Sequence, residues 1–236
     1  MKKLARSIAR IVLVVLIAVV LFGSLRFGLI PQRFSPFAPL SLRDPPRYFL
    51  DARLSVLRRD PALCQSVLTT PHIDASAVAD QPVKDGCGWS NAVKFSTVGG
   101  ARIGVSPLTC EMAAALALWI EQDVQPLAQE LFGQSVVRLG DMGSYGCRNI
   151  VGNPLWRNVR SQHASANAID ISGFTLADGH QISILKDWSA AGAASIFLKE
   201  AHKRACRYFR VTLGPEYNEA HKNHFHFDRG AFSRCK

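Results

Sequence analysis

Apolar and polar positions divide the chain into three regimes. The first is a basic lead of Lys2, Lys3, Arg6 and Arg10 that runs into an apolar stretch over 11–22, followed by Gly23, Ser24 and Leu25. Only 15 uncharged residues separate Arg10 from Arg26, fewer than the roughly 20 that cross a bilayer. Snorkelling arginines and residues 27–30 would lengthen the span. The length also suits a signal-peptide core, although Gly23, Ser24 and Leu25 make a weak cleavage site. Basic before apolar predicts a signal anchor over 1–30, with its N-terminus in the cytoplasm. That gives a single pass through the inner membrane and a periplasmic domain.

In the second regime, Pro31, Pro36, Pro39, Pro45 and Pro46 fall within sixteen residues. Prolines at this density oppose both helix and sheet pairing, so 31–50 reads as an extended spacer.

The third regime, 51–236, alternates between helical and strand patterns. Thr109 caps a helix whose apolar positions Met112, Leu116, Trp119, Ile120, Val124, Leu127 and Leu131 follow a 3.6-residue period. Pro126 should kink or split it. A strand over 135–139 ends at Gly140 and Asp141, a helix covers 189–204, and a strand over 207–213 precedes the turn residues Gly214 and Pro215. Residues 224–227 alternate polar and apolar, as a short strand does. Together these predict an α+β domain in which helices flank a small antiparallel sheet that bears the site.

Composition changes this picture little. Of 236 residues, 48% are hydrophobic, enough for a core that needs no metal to fold. A metal here would therefore serve function. The formal net charge is +10, four charges of which sit in the basic lead. The rest suits a solvated surface or attraction of an acidic polymer. Nucleic acid is a poor partner, because the domain is exported and lacks a basic, aromatic-rich stripe. Six cysteines, Cys64, Cys87, Cys110, Cys147, Cys206 and Cys235, all follow the apolar run without a C-x-x-C pair. An even number on the exported side reads as disulfides. Of the 15 possible pairings, Cys206 with Cys235 is the one expected to brace the segment between them.

The candidate chemistry lies in two clusters. His163 and Asp170 stand seven residues apart among small residues, and His221, His224, His226 and Asp228 follow about fifty residues later. On a strand, His224 and His226 share one face while Phe225 and Phe227 take the other. Catalytic zinc sites use three N or O ligands and keep one position open. His163, Asp170 and one or two of the later histidines would supply such a set. Either cluster alone carries little information. Their apolar flanks argue for burial, and buried imidazoles need partners. His72, His180 and His202 read as surface residues.

The pattern Ser161-x-His163-x6-Asp170 with His224-x-His226 resembles the zinc peptidases that include lysostaphin-type endopeptidases and D-Ala-D-Ala carboxypeptidases. The spacing of His221, His224 and His226 is similar to that of penicillin-insensitive murein endopeptidases. Nearly the whole domain also resembles the bacterial extensin-like C-terminal family. That likeness rests on Ser144-Tyr-Gly-Cys147-Arg148, Asn167-Ala-Ile-Asp170-Ile-Ser-Gly-Phe174, Asp187-Trp188, Leu213-Gly-Pro-Glu-Tyr-Asn218 and the closing histidines.

The resemblance implies a zinc (Zn2+) metallopeptidase with His163, Asp170 and His226 as ligands. It places His224 beside the nucleophilic water, His221 across from it, and Arg148 on a substrate carboxylate or carbonyl. The implied substrates are peptidoglycan stem peptides or cross-links. Two features depart from the pattern. No acid occurs over 220–226, where the carboxypeptidases keep a glutamate base, and the nearest upstream are Glu219 and Glu216. Gln162 and Ser165 or Ala166 stand where the extensin-like pattern often has Glu and Gly. Asp228 could orient a ligand instead. The alternative expectation is a wall-binding or scaffold protein that keeps the fold without turnover.

Overall fold

The computed structural model describes residues 2–29, 31, 34, 40–43 and 48–236. They group into two units, Met1–Arg53 and Leu54–Lys236. In the first unit, helix α1 (Lys2–Arg26) contains a 21-residue segment, Arg6–Arg26, long and apolar enough to cross a membrane. The spacer expected over 31–50 lies largely outside the described residues. Helix α2 (Leu50–Val56) follows it.

The second unit begins its regular structure with α3 (Pro61–Leu68), which Asp60 caps by accepting from Leu63 N at 2.9 Å. Six short strands follow: β1 (Asp74–Val78), β2 (Gln81–Lys84), β3 (Cys87–Trp89), β4 (Ala92–Val98), β5 (Ala101–Arg102) and β6 (Leu108–Thr109). Next come α4 (Cys110–Trp119), α5 (Gln125–Phe132), β7 (Val136–Gly143), β8 (Ala168–Leu176) and β9 (Gln181–Ser183). The chain closes with α6 (Ile184–Asp187), α7 (Ala193–Ala205), β10 (Val211–Leu213), β11 (Phe225–Asp228) and β12 (Arg234–Cys235).

Ten of these strands form one sheet in the order β1-β4-β5-β7-β8-β11-β10-β12, with β6 on β4 and β9 on β8. The domain is thus α+β, but its sheet is larger than the small antiparallel one expected. It is also mixed, because β5 runs parallel to β7 and β10 to β12. The early strands escaped the sequence pattern because they are short and rich in Ala, Ser and Lys.

Helix α4 is buried at all ten positions, which explains why its apolar residues run on beyond one stripe. Even Glu111 is enclosed, with its charge met by Arg58 Nε at 2.8 Å and Arg229 Nε at 2.7 Å. The expected break at Pro126 takes the form of a π-helical turn over Ile120–Val124, directly before α5. Proline has no N–H to donate and crowds the carbonyl four residues back, and a widened turn relieves both.

Trp119 at the end of α4 organises the core. Its ring lies 5.0 Å from Phe227 and 6.0 Å from Phe174, and its Nε1–H donates to Ala201 O on α7. Phe209 stacks on Phe227 at 4.6 Å. Phe225 and Phe227 are fully buried toward these helices, so the alternating residues of β11 must project from the opposite face.

Several boundaries differ from the sequence pattern. Strand β7 continues past Gly140 through register shifts to Gly143, because bulges let it keep pairing with β8. The helix expected over 189–204 starts at Ala193. The strand expected over 207–213 shrinks to Val211–Leu213, since the carbonyls of Arg204 and Ala205 still hold Arg207 and Tyr208 in turns. His202 is not a surface residue: it is 8% exposed and lies beside Trp188 and Phe225 at 5.6 and 4.8 Å. It shares the inner face of α7 with Leu198 and Ala205, and burial lowers its pKa.

Three disulfides, Cys64–Cys110, Cys87–Cys147 and Cys206–Cys235, use every cysteine. The last ties the end of α7 to β12, the pairing expected from sequence. Each closes a loop and so restricts the unfolded chain.

Candidate metal centre

Strands β8 and β11 are antiparallel neighbours, and their register sets Asp170 directly opposite His226. Directly opposed side chains on one face come within contact distance. Ile169 and Ile171 point the other way and are fully buried, like Phe225 and Phe227. Two apolar-backed strands therefore hold one carboxylate and one imidazole in place.

His163 arrives from a 3-10 turn, Gln162–Ser165, in which Ser161 Oγ caps the turn by accepting from His163 N at 3.3 Å. Ala166 ends the turn in the left-handed region at φ 53°, a conformation that costs a non-glycine residue roughly 1–2 kcal/mol. The chain can then reverse within four residues into β8. Buried Ala164, Ala166 and Ala168 leave room for this close approach.

The three donor atoms meet. His163 Nε2 lies 3.2 Å from Asp170 Oδ1, His226 Nδ1 lies 2.9 Å from the same oxygen, and the two nitrogens are 3.2 Å apart. A tetrahedral ion with bonds near 2.0–2.2 Å sets its ligand atoms about 3.3–3.6 Å apart. The observed edges, 2.9–3.2 Å, fall about 0.1–0.4 Å short of that range.

Protonation supplies a second test of fit. His163 Nδ1 faces the Ser144 carbonyl at 3.2 Å, and a carbonyl can only accept. Nδ1 therefore carries the hydrogen, and Nε2 turns a lone pair inward. His226 Nε2 faces Asp228 Oδ2 at 3.1 Å, so its Nδ1 likewise turns inward. Two lone pairs and a carboxylate oxygen thus converge, an arrangement that could hold a metal ion. Without a metal, a proton takes that place. Burial alone would lower the His226 pKa, but the Asp170 and Asp228 carboxylates raise it to about 9. Asp170 is pushed the other way: burial would raise its pKa, yet in the metal-free chain His163 and His226, where they carry a proton toward it, hold it well below the usual carboxylate range.

The other candidates border this centre. His224 Nε2 stands 3.7 Å from Asp170 Oδ1, while its Nδ1 is held by Asn223 Oδ1 at 2.9 Å. His221 lies near both His224 and His226, its ring centre 5.3 Å from that of the first and 5.9 Å from that of the second. Asn218 fixes it: Nδ2 donates to Gly152 O at 3.2 Å, which leaves Oδ1 to accept from His221 Nδ1 at 2.6 Å. Burial, then the neighbouring His226 and His224, pushes the His221 pKa down to about 4. Burial also lowers that of His224. Arg148 Nη2 sits 3.8 Å from Asp170 Oδ2.

Arg148, Asp170, His221, His224, His226 and Asp228 line one cleft of about 480 Å³, whose apolar lining includes Ile150, Val151, Trp156, Val159 and Phe232. Its lining carboxylates are Asp170 and Asp228. Glu219 is exposed and pairs with Lys222, so it is no substitute for the missing glutamate base. The two asparagines and the apolar lining were not foreseen. Asn218 does fall within a motif quoted for the family resemblance, and the lining is an unpatterned apolar run in a loop.

The family model described as extensin-like protein C-terminus matches residues 62–236. The chain belongs to this family. No curated protein and no solved structure matches it. The matched span contains every residue of the centre and all three disulfides.

The motifs that carry the extensin-like resemblance acquire physical roles in this fold. Ser144 turns its carbonyl to His163, Cys147 anchors that segment to Cys87, and Arg148 reaches the cleft. Gly173 admits β9, because a Cβ there would stand 2.3 Å from Ile182 O. Asp187 accepts from Ser183 N at 2.7 Å and so closes the turn into α6.

Proposed function

We propose that the chain is a zinc metallopeptidase, a hydrolase of amide bonds in peptidoglycan stem peptides or cross-links. The observation that carries this reading is the convergence of His163 Nε2, Asp170 Oδ1 and His226 Nδ1, each with its lone pair turned inward. Zinc suits such a two-nitrogen, one-oxygen set. When bound, the ion would act as a Lewis acid on a carbonyl oxygen and make water a competent nucleophile near neutral pH.

The remaining steps fall to side chains. His224 is neutral at pH 7 because burial lowers its pKa, and Asn223 holds its Nδ1–H. Its Nε2 is therefore free to accept a proton within the cleft and return it to the leaving amine. His221 offers the same capacity one position further out. Arg148 presents donors that orient a carbonyl or carboxylate. Asp228 holds His226 in its ligating tautomer.

The membrane-length helix within residues 6–26 supports an inner-membrane anchor with the domain in the periplasm, where the wall polymer lies. A second reading is a wall-binding or scaffold protein without turnover. It is favoured by the absence of a glutamate among the described residues that line the cleft. The two separate on murein fragments incubated with zinc-loaded protein and analysed by mass spectrometry. New amino and carboxyl ends, lost in His224→Ala, support hydrolysis. Intact fragments bound by folded protein support the second reading.

A further inference from the structure

Five of the large apolar side chains that the domain leaves in solvent gather in one place. Val151, Leu155, Trp156, Val159 and Phe232 are all exposed, Leu155 at 90%. The first four lie on one loop, which doubles back so that Val159 O accepts from Ile150 N. Phe232 joins them from the segment after β11, its ring 4.9 Å from that of Trp156. Single exposed apolar residues are ordinary, but a contiguous group marks a binding surface. The same two segments are basic: 149–160 carries Arg157 and Arg160, 230–235 carries Arg234, and neither contains Asp or Glu. Arg160 donates to the Asp85 carbonyl and the Asn149 side-chain oxygen, and Arg234 lies 5.6 Å from the Tyr217 ring centre, so these contacts leave both charges in place.

Leu155 lies outside the lining of the metal cleft, so a ligand of the cleft alone would leave the most exposed side chain of the group uncovered. Aromatic and aliphatic side chains beside arginine suit a lipid headgroup layer, where rings sit at the acyl boundary and guanidinium groups meet phosphates. The same chain carries Arg6–Arg26, long and apolar enough to cross a membrane, and 23 residues separate it from Leu50. At up to about 3.5 Å each, they let the domain reach a bilayer that α1 enters.

We propose that the 150–160 loop and Phe232 form a lipid-binding surface that seats the domain in the headgroup layer of a phospholipid bilayer. The inference needs no turnover, but it draws on the anchor reading above. Val151, Trp156, Val159 and Phe232 also line the metal cleft, so docking brings the cleft to the bilayer surface and favours ligands presented there.

The test is tryptophan quenching by brominated lipid, on the full chain reconstituted in phosphatidylcholine vesicles with and without phosphatidylglycerol. Helix α1 holds no tryptophan; of the four in the chain, Trp119 and Trp188 are buried and Trp89 is half-buried. Wild-type emission should be quenched, more so with phosphatidylglycerol, and Trp156→Phe should lose that component. Leu155→Asp removes little packing and should shift docking about tenfold toward the undocked state. Ile196→Asp, at an exposed apolar position on α7, should change nothing. Equal quenching in wild type and Trp156→Phe, wild-type quenching in Leu155→Asp, or an equal loss in Ile196→Asp overturns the proposal. So does a Trp156 shielded from lipid by a second copy of the chain or by added murein fragments. Carbonate extraction reads the anchor separately: a chain stripped from the vesicles counts against α1 as an anchor, while the quenching measured before extraction still decides the surface.

Discussion

Asp228→Asn probes the candidate metal centre through a residue that is not one of its three ligating side chains. Asp228 accepts twice, from Gly230 N at 2.8 Å through Oδ1 and from His226 Nε2 at 3.1 Å through Oδ2. An asparagine can keep only one of these. If its oxygen stays on Gly230, its NH2 faces His226 and forces the hydrogen onto Nδ1, the atom that should ligate. If it flips, two donors confront each other at the buried Gly230 amide. Either arrangement costs about 1–3 kcal/mol, which corresponds to a loss of about 10–100-fold in zinc affinity. Competition against a chromophoric chelator at pH 7.5 measures that ratio, with the three disulfides and the far-UV spectrum as controls of folding. Zinc affinity within twofold of wild type in Asp228→Asn would refute the assigned tautomer, and with it the inward lone pair on His226.

Three further outcomes are expected. His224→Ala should keep its zinc and lose about 10²–10⁴-fold in turnover, a proton-transfer deficit that a pH-rate profile separates from metal loss. The zinc-free protein should be most stable at about pH 6–7: the His226 pKa is raised to about 9, so its contribution is complete below about 6.5 and disappears as pH rises through 9, whereas the lowered pKa values of His221, His224 and Asp170 remove stability as pH falls toward the acid range. Chemical denaturation should register a loss of roughly 3 kcal/mol across that window; a flat profile contradicts the proton's place between Asp170 and Asp228. Ala166→Gly should stabilise the domain by up to about 1 kcal/mol through relief of the φ 53° turn, seen as a raised melting temperature, and Ala166→Val should lower it.

How much was legible in the sequence varied with the range of the interaction. Strand β11 could be read because Phe225 and Phe227 alternate with His226 and Asp228, a local pattern of period two. The Cys206–Cys235 pairing followed from a simple bracing expectation. Strand β8 was missed because both of its faces carry small or apolar residues, so alternation is blurred over Ala168–Leu176. Yet β8 is what brings Asp170 opposite His226, a register that no spacing within either cluster encodes. His202 was misplaced for a related reason: a polar residue on a helix reads as exposed until the packing of Trp188 and Phe225 is known. The asparagines that hold His221 and His224 do so by hydrogen bonds whose partners become specific only after folding.

The metal content of the folded chain tests the central claim most directly. Purified full-length protein, dialysed against micromolar zinc and then metal-free buffer, should retain one zinc per chain. X-ray absorption should give two imidazole nitrogens and one carboxylate oxygen at about 2.0–2.2 Å. His163→Ala, Asp170→Ala and His226→Ala should each abolish retention. Folded wild-type protein that holds no zinc, or that holds it equally well in all three variants, would contradict the assignment of His163, Asp170 and His226 as a metal centre.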